Sequence, residues 1–598
     1  MATASGQSLD RGFWALFGAQ FLGAFNDNLF KTALTVAITF RAAHLGGLAP
    51  TALVALCSAL LVLPFALFSS VAGQLADRYA KHRLIRFTKL CECAIMALGC
   101  VSLWLGSLEL SLATLFLLGT QAALFGPLKY GILPELLPAE RLVQGNAYVE
   151  MGTFLAILLG TLTGGVLGLG DRRWLAASVV AVALLGYLTA RRVPAVTPAN
   201  PELRLDANWA RSTWGLMKIA RQSNAVWHSI LGISWFWLLG ALVLSLLPEL
   251  VKQHLGGGPL VVTFMLGAFS VGVGLGALLC ERLSFEQIEL GLVPLGALGL
   301  SVCLAWLGLV SNGTATSPGA LSLAEFVRDA RGLWTTASVV TLALSGGVFT
   351  VPLYTLLQGR SQPATRARVI AANNVLNAVF MVLGSAALAL LSACGVGVPH
   401  TLLILAAANA LVAAYTYSIV PEFLFRLVCW MLAHVIYRLK ISGRERIPRT
   451  GAALLVCNHV TFIDWLIISA ASQRPIRFVM HHEFLENTAH GAPVSRRQGH
   501  PDRQREREPR SAGASLRAHR RGPGRGRAGV HFPGGQADAR RQAVAVPTRR
   551  RAHRPAFDGA GGAARAARLV GQLLQPLRQR GAAAPVSAGV VARGAERR

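Results

Sequence analysis

The sequence has few charged residues for its length. Only 14% of its 598 residues are Asp, Glu, Lys or Arg, whereas 53% are hydrophobic. Soluble globular proteins carry about 25% charged residues. A deficit of this size over so long a chain argues against an ordinary soluble protein and indicates membrane-spanning segments.

The sequence also lacks metal-binding cysteine motifs. None of its nine cysteines forms a CxxC pair, and Cys91 and Cys93 lie two residues apart on a predicted helix, where their side chains point in different directions. We expect neither a metal nor another cofactor. No A-x-A cleavage site follows the first apolar segment, so we expect no removed signal peptide.

Apolar segments recur through the first 420 residues, each long enough, at about 20 residues, to cross the hydrocarbon core of a bilayer. Lys and Arg are concentrated in the even-numbered loops, which places these loops and both termini in the cytoplasm by the positive-inside rule. The twelve predicted spans lie near residues 13–40, 51–73, 89–108, 110–126, 146–169, 174–193, 226–247, 260–280, 288–310, 333–357, 369–391 and 401–420.

The two halves of six spans repeat each other. In both halves a Pro-Leu pair ends the fourth span, and an Arg precedes an Asn by five residues before the fifth span. Parallel halves of this kind are typical of the major-facilitator architecture. The sequence therefore predicts an all-α membrane fold of twelve helices over residues 10–420. The matching positions are Pro127-Leu128 with Pro352-Leu353, and Arg141 and Asn146 with Arg368 and Asn373.

The loop after the second predicted span supports this fold. It resembles the superfamily signature G-x-x-x-D-R-x-G-R-R, although Ala80 stands in the place of the second Gly and Lys81 in that of an Arg. The resemblance implies that Gly73 lets helices approach, and that Asp77 and Arg78 latch one conformation by pairing across the cytoplasmic ends of helices. The alternative is a basic cytoplasmic loop without this role.

Polar residues interrupt the first predicted span, namely Gln20, Asn26, Asp27, Asn28 and Lys31. A charge near the centre of a bilayer costs several kcal/mol, so these side chains should face a cavity or a partner. Asp27 and Lys31 are four residues apart and can pair on one helix face. They form either a structural ion pair, or, together with Asn26, the lining of a pathway that contacts a zwitterionic or anionic headgroup.

Two segments resemble bacterial lysophospholipid transporters, which move lysophosphatidylethanolamine and related lipids inward across the inner membrane. They are Phe21–Lys31, which reads FLGAFNDNLFK, and Phe125–Glu135, which reads FGPLKYGILPE. The resemblance implies a multi-pass protein of the bacterial inner (plasma) membrane, whose partners are a lysophospholipid substrate and membrane lipids but no nucleic acid. Secondary pathway or gate candidates are Lys129, Glu135, Asn146 and Glu150, the last being equally compatible with helix packing.

A second module follows an apolar segment, residues 421–440, which is expected to lie in the membrane interface. The buried run 452–457 reads as a strand and leads into Asn458-His459-Val460-Thr461-Phe462-Ile463-Asp464. This heptapeptide resembles the N-H-x-[ST]-x-x-D motif of glycerol-phosphate acyltransferases. The resemblance implies that His459 is the general base, that Asp464 orients it, and that an intact domain takes an acyl thioester of acyl carrier protein or coenzyme A. The alternative is a capping pair at a helix start.

The composition changes after Glu486. Residues 487–598 contain 24 Arg, no Lys and six acidic residues, and the lack of Lys favours GC-rich coding over a nucleic-acid-binding tail. Synonymous codons allow residues 531–542 to be encoded so that the shifted frame reads Ile-Phe-Pro-Glu-Gly-Lys, which resembles the F-P-E-G motif of the same acyltransferases. We therefore predict a frameshift near Glu486, a partial, truncated α/β acyltransferase domain over 441–486 that is inactive, and a disordered tail over 487–598.

Three functions remain open at this point. The first is a lysophospholipid transporter with a broken acyltransferase. The second is an active acyltransferase whose transporter-like part is an anchor, against which the missing in-frame F-P-E-G motif argues. The third is a major-facilitator exporter of small solutes, against which the span-one motif and the acyltransferase segment argue.

Overall fold

The computed structural model describes most of the first 419 residues and short parts of the rest. It divides the chain between Ile419 and Val420 into two compact units, and each unit is described by itself. The described residues are 9–40, 50–206, 208–284, 291–312, 321–419, 425, 428–433, 436, 439, 441, 447, 453–458, 461, 463–472, 476–481, 499–502 and 528–531.

The described part of the first unit is a bundle of twelve long helices with two shorter ones, α7 and α11, and each of the twelve predicted spans falls on a long helix. Ten of the helices are long and apolar enough to cross a membrane, whereas α1 and α3 carry charges in their interior. The helices are α1 Arg11–Phe40, α2 Pro50–Arg78, α3 Lys81–Leu105, α4 Leu108–Leu136, α5 Leu142–Leu169, α6 Arg172–Ala190, α7 Trp209–Arg221, α8 Asn224–Glu249, α9 Pro259–Leu283, α10 Leu292–Val310, α11 Leu323–Arg328, α12 Ala330–Arg360, α13 Arg366–Ala393 and α14 Val398–Ile419.

Helices α1–α6 form the first half of the bundle, and α8, α9, α10, α12, α13 and α14 form the second. Within the halves, α1 packs on α5 and α9 packs on α12, whereas α2 packs on α13 and α5 on α9 between the halves. Small residues let these helices pack closely, as is usual for helices that pack within membranes. A Cβ at Gly160 of α5 would collide with the backbone carbonyl of Phe25 in α1, so α1 lies directly against α5.

The second unit contains a four-stranded parallel sheet in the order β1-β4-β2-β3. Its strands are β1 Ala453–Val456, β2 Ile476–His481, β3 Gly499–Asp502 and β4 Ala528–His531, and helix α15, Asp464–Ala471, connects β1 to β2. Ile476 and Phe478 of β2 form a small apolar core with Leu455, Cys457 and Ile468.

Strands β3 and β4 lie within the tail that was predicted to be disordered, so that prediction is wrong for these eight residues. β4 pairs with both β1 and β2, and β3 pairs with β2, so backbone groups of both strands are paired within the sheet. The remaining residues of the predicted tail lie outside the described residues, as does most of the predicted interfacial segment 421–440.

Candidate functional site

A buried ion pair within α3 lies at the centre of the first half. The Lys89 Nζ is 2.6 Å from the Glu92 Oε2, and the two side chains are 1% and 0% exposed. Gln121 of α4 donates a hydrogen bond to the same Glu92 oxygen at 3.0 Å, and the Lys89 ammonium lies 5.0 Å from the centre of the Phe125 ring. Charges buried at this depth are costly unless paired, so this pair fixes the packing of α3 on α4.

Lys89 and Glu92 were not among the predicted site residues. The predicted third span begins at residue 89, which would put Lys89 in the headgroup region, whereas α3 begins about two turns earlier, at Lys81. The available signal was a Lys and a Glu three residues apart, followed at once by an apolar run. On one helix face such residues pair with each other.

Helix α1 places its polar residues beside this pair. The Lys89 ammonium lies over Gly23, where a Cβ would collide with it. Asn26 is fully buried and donates to the backbone carbonyl of Val179 in α6 at 3.0 Å. The electrostatic neighbours of the Asp27 carboxylate are Glu92, Lys89, Lys129 and Lys31, and its Oδ1 is buried without a hydrogen-bond partner. A buried acceptor with no partner is available to a ligand.

The proposed pairing of Asp27 with Lys31 does not occur. Among the ion pairs of the described residues, none joins these two side chains, although Lys31 is one of the electrostatic neighbours of the Asp27 carboxylate. Asn28 donates to the backbone carbonyl of Ala24 in its own helix at 2.8 Å, so this side chain makes an intrahelical bond.

Helices α4 and α5 complete the charged cluster. The Lys129 ammonium is 3.5 Å from the side-chain oxygen of Gln20 and has Glu150 and Asp27 as electrostatic neighbours. Glu150 accepts a hydrogen bond from the Tyr130 hydroxyl at 2.6 Å, while its second oxygen is buried without a partner. We define the charged cluster as the six residues Asp27, Lys31, Lys89, Glu92, Lys129 and Glu150, supplied by α1, α3, α4 and α5.

The second half has a different interior. Every Asp, Glu, Lys or Arg in its six long helices lies within three residues of a helix end. Aromatic side chains take the central positions. Tyr354 of α12 stacks on Tyr130 of α4 with ring centres 4.5 Å apart, and Trp237 of α8 donates to the Tyr354 hydroxyl and stacks on Phe154 of α5. The interior of the first half is therefore charged, whereas the interior of the second half is aromatic and contains no Asp, Glu, Lys or Arg of these helices.

Asp77 of the predicted latch joins the two halves. The Asp77 carboxylate of α2 accepts from the Arg368 Nε at 3.0 Å and from the backbone N–H of Ala367 at 3.0 Å, at the first turn of α13. Arg78 instead lies over the Tyr79 ring. Asp77 pairs across the helix ends because the first turn of α13 offers unpaired N–H groups and a positive dipole end as well as a guanidinium. The role of Arg78 in the latch stays a prediction.

Gly73 lies where α2 packs against α13. A Cβ at Gly73 would lie 2.6 Å from the Cβ of Ala371 and 3.0 Å from the Cα of Arg368. Only a glycine lets α2 and α13 approach this closely, and this approach brings Asp77 into hydrogen-bonding range of α13.

Two more predicted residues lie at the same end of the bundle. Asn146 of α5 and Gln358 of α12 exchange two amide hydrogen bonds of 2.9 Å across the halves, and both are fully buried. Glu135 forms an ion pair of 2.6 Å with Lys81 of the neighbouring helix. We call this end, with the loops around Tyr79, Pro138 and Gln362, the basic end. The Asp77 and Asn146 contacts close it.

We expect Asp77→Asn to open the basic end. The substitution keeps the side-chain size but removes a charge-assisted contact that contributes about 2 kcal/mol, a shift of roughly 30-fold in the equilibrium between closed and open forms. Spin labels at the exposed residues Arg83 and Gln362, in a variant without its native cysteines, would report a longer interlabel distance. Arg78→Gln is the matched control. An effect of the control alone would restore Arg78 to the latch.

Asp464 of the second unit forms a local turn. Its carboxylate accepts from the backbone N–H of Thr461 at 3.0 Å and from the Thr461 hydroxyl at 2.7 Å. This arrangement resembles a capping box, which agrees with the capping interpretation and also fixes the carboxylate at the start of α15. His459 lies outside the described residues, so its pairing with Asp464 stays a prediction.

Comparison with known proteins identifies the first unit. The family model of the Major Facilitator Superfamily matches residues 16–385, more than half of the chain. The chain belongs to the Major Facilitator Superfamily. Solved structures of this superfamily share the fold. The human organic anion transporter MFSD10 (TETRAN) has a TM-score of 0.55 at 16% identity, over 68% of this chain and 100% of its own. The proton:xylose symporter XylE has a TM-score of 0.53 at 15% identity, over 68% and 96%.

Curated relatives within the superfamily share sequence as well as fold. The lysophospholipid transporter LplT of Citrobacter koseri is 30% identical over 407 residues, which are 65% of this chain and 90% of that protein. LplT of Enterobacter sp. is 28% identical over 403 residues, 65% and 92% of the two chains. The Acyltransferase family model matches residues 438–579, a range that includes all four strands of the second unit and continues past Glu486.

Proposed function

We propose that the first unit moves lysophospholipids inward across the bacterial inner membrane. The observation that carries this proposal is the charged cluster inside an otherwise apolar bundle. Its cations and carboxylates match a zwitterionic or anionic headgroup, and curated relatives at 28–30% identity are named lysophospholipid transporters. The aromatic second half offers apolar surface to the single acyl chain.

The cluster provides separate partners for the two charges of such a headgroup. The unpartnered Oδ1 of Asp27 accepts hydrogen bonds, as an ammonium group requires, while Lys31 and Lys129 provide cations for a phosphate. The side chain of Asn26 donates to a backbone carbonyl of α6 and so holds α1 in position against that helix. In this proposal Asp27, Lys31 and Lys129 contact the headgroup directly, while Lys89 and Glu92 hold α3 and α4 in place.

The proposed direction follows from the latch and the charge distribution. The basic end is the cytoplasmic end by the positive-inside rule, so both termini of the first unit are cytoplasmic. Because Asp77 and Asn146 close that end, the structure corresponds to a state that receives substrate from the other side. In such a transporter, rocking of one half against the other around the site then exposes the substrate to the cytoplasm.

The second unit suits the next chemical step. A lysophospholipid lacks one acyl chain, and an acyltransferase can restore it from an acyl thioester. In the proposed reaction His459 takes the proton of the free glycerol hydroxyl as the oxygen attacks the thioester carbonyl, and the thiolate of the carrier leaves. The predicted frameshift removes the F-P-E-G motif, which by the resemblance helps to hold the phosphate of the acceptor, so we propose that the chain as its sequence stands transports without reacylating.

Uptake of labelled lysophosphatidylethanolamine by spheroplasts tests the transport proposal. We expect Asp27→Asn and Lys31→Ala each to reduce uptake by tenfold or more, because each loses a charged contact of about 1.5–3 kcal/mol. Thr39→Ala is the matched control, since Thr39 lies on the same helix, is exposed and bonds only within α1.

Two outcomes would count against the transport proposal. If Asp27→Asn and Lys31→Ala insert normally and take up the lipid like the Thr39→Ala control, the cluster is not part of the pathway. If the wild-type chain exports small solutes but does not take up the lipid, it is an exporter of small solutes.

A further inference from the structure

Helix α7 connects the two halves and has two unlike faces. Its residues Ser212, Leu216 and Ala220, four apart, are buried. The opposite face carries Arg211, Trp214, Lys218 and Arg221, which follow one another at spacings of three and four and therefore form a continuous stripe. We call these four residues the α7 stripe. The helix contains no acidic residue.

The stripe is exposed and its charges are not neutralised. Trp214 is 59% exposed, and Trp209 at the helix start is 55% exposed. Among the ion pairs of the described residues, none includes Arg211, Lys218 or Arg221. The two C-terminal cations lie over indole rings instead, Lys218 at 6.0 Å from the Trp214 ring and Arg221 at 4.6 Å from the Trp227 ring.

The buried face fixes α7 at the basic end of the bundle. The helix packs on α2, α13 and α8. Gln74, one turn before the end of α2, donates to the Ser212 hydroxyl at 2.7 Å and also accepts from the backbone N–H of Asp206 at 2.7 Å. Helix α8 begins only three residues after Arg221. The stripe is therefore held at the level where three spanning helices end.

Position and composition together select one kind of partner. A helix at the ends of spanning helices lies where hydrocarbon gives way to headgroups, and tryptophan is enriched at that level. Lys and Arg next to it attract anionic lipids. We propose that the α7 stripe is a binding site for the headgroups of anionic phospholipids in the leaflet at the basic end, separate from the charged cluster in the bundle.

The site would act as a fixed electrostatic contact rather than as part of the transport pathway. Each Lys or Arg near an anionic membrane surface changes affinity about fivefold, so loss of all three cations should lower the preference for anionic lipid by tenfold or more. The tryptophan supplies apolar contact in the interface and a ring against which a cation packs. The preference should weaken as ionic strength rises, because the stripe is exposed.

Native mass spectrometry of the purified full chain tests the proposal with an equimolar mixture of dioleoyl phosphatidylglycerol and dioleoyl phosphatidylethanolamine. We expect the wild type to retain phosphatidylglycerol preferentially. The triple variant Arg211→Gln, Lys218→Gln, Arg221→Gln should reduce the ratio of the two bound lipids by tenfold or more. The matched control, Arg191→Gln, Arg192→Gln, Arg204→Gln, removes the same charge from exposed positions of the same inter-half segment and should stay within twofold of wild type.

A second variant separates charge from folding. The charge-preserving triple variant Arg211→Lys, Lys218→Arg, Arg221→Lys should keep the wild-type preference. If the Gln variant and its control lose the preference for phosphatidylglycerol equally, the preference depends on overall charge and not on the stripe, and the proposal is overturned. An unchanged ratio in the Gln variant would also overturn it and assign the stripe to a protein surface instead of lipid.

Discussion

Replacing Lys89 with Ala should destabilise the first unit by about 3–5 kcal/mol, because it leaves the Glu92 carboxylate buried without its counter-charge. Both side chains are almost completely buried, and their 2.6 Å contact is the ion pair most enclosed by protein among the three in the described residues. Thermal unfolding of the detergent-purified protein measures this effect. The control is Arg83→Ala, at an exposed position of the same helix, which should change stability by less than about 0.5 kcal/mol.

The double variant Lys89→Met, Glu92→Gln tests whether the pair acts on transport through stability. It removes both charges and keeps similar side-chain volumes, so stability should return to within about 1–2 kcal/mol of wild type, since a buried pair often adds little net stability over neutral residues. Uptake of lysophosphatidylethanolamine should recover together with stability, because Lys89 and Glu92 hold α3 and α4 in place and their charges act on Asp27 in opposite directions. A Lys89→Ala variant as stable as Arg83→Ala would contradict the assignment of this pair as a stabilising contact of the first half.

The sequence was sufficient to predict the fold because the length of an apolar segment identifies a membrane-spanning helix without knowledge of distant contacts. Each predicted span falls on a helix, and ten helices meet the length and hydropathy that a membrane requires. It was less reliable where a charge interrupts a helix. Lys89 was assigned to a loop boundary, since a lysine near the end of an apolar run usually marks the headgroup region, but here its counter-charge lies one turn further along the same helix.

Contacts between the halves were the hardest to predict. Asp77 and Arg368 are 291 residues apart in the sequence, so the superfamily signature identified the carboxylate but not the residue in the other half that pairs with it. A glycine in that signature already implies a close helix approach, and a Cβ at Gly73 would lie 2.6 Å from the Cβ of Ala371. Helix α7 was missed because its amphipathic stretch of 13 residues is too short for a span and was read as part of a basic loop.

The chain as its sequence stands should show no acyl transfer, whereas the protein encoded by a gene with a single-base correction near the codon for Glu486 should transfer acyl groups. In the described residues Asp464 is fixed by Thr461 at the start of α15, which suits an orienting carboxylate. A general base alone accelerates the reaction little, however, because positioning of the acceptor contributes many orders of magnitude of rate enhancement. The predicted frameshift removes the F-P-E-G motif that, by resemblance, holds the acceptor phosphate.

The assay is acyl transfer from an acyl thioester to a lysophospholipid, with membranes that contain either form of the protein. In the corrected form His459→Ala should lower the rate by about 10²–10⁴-fold, the usual contribution of general base catalysis, while Asn458 and Asp464 are unchanged. The Acyltransferase match continues through residue 579, and β4 pairs with β1 and β2, so the residues after Glu486 have to be assayed in both forms. Equal, His459-dependent activity in both forms would therefore refute the frameshift as a cause of inactivity, because the residues after Glu486 would then complete the acceptor site as they are.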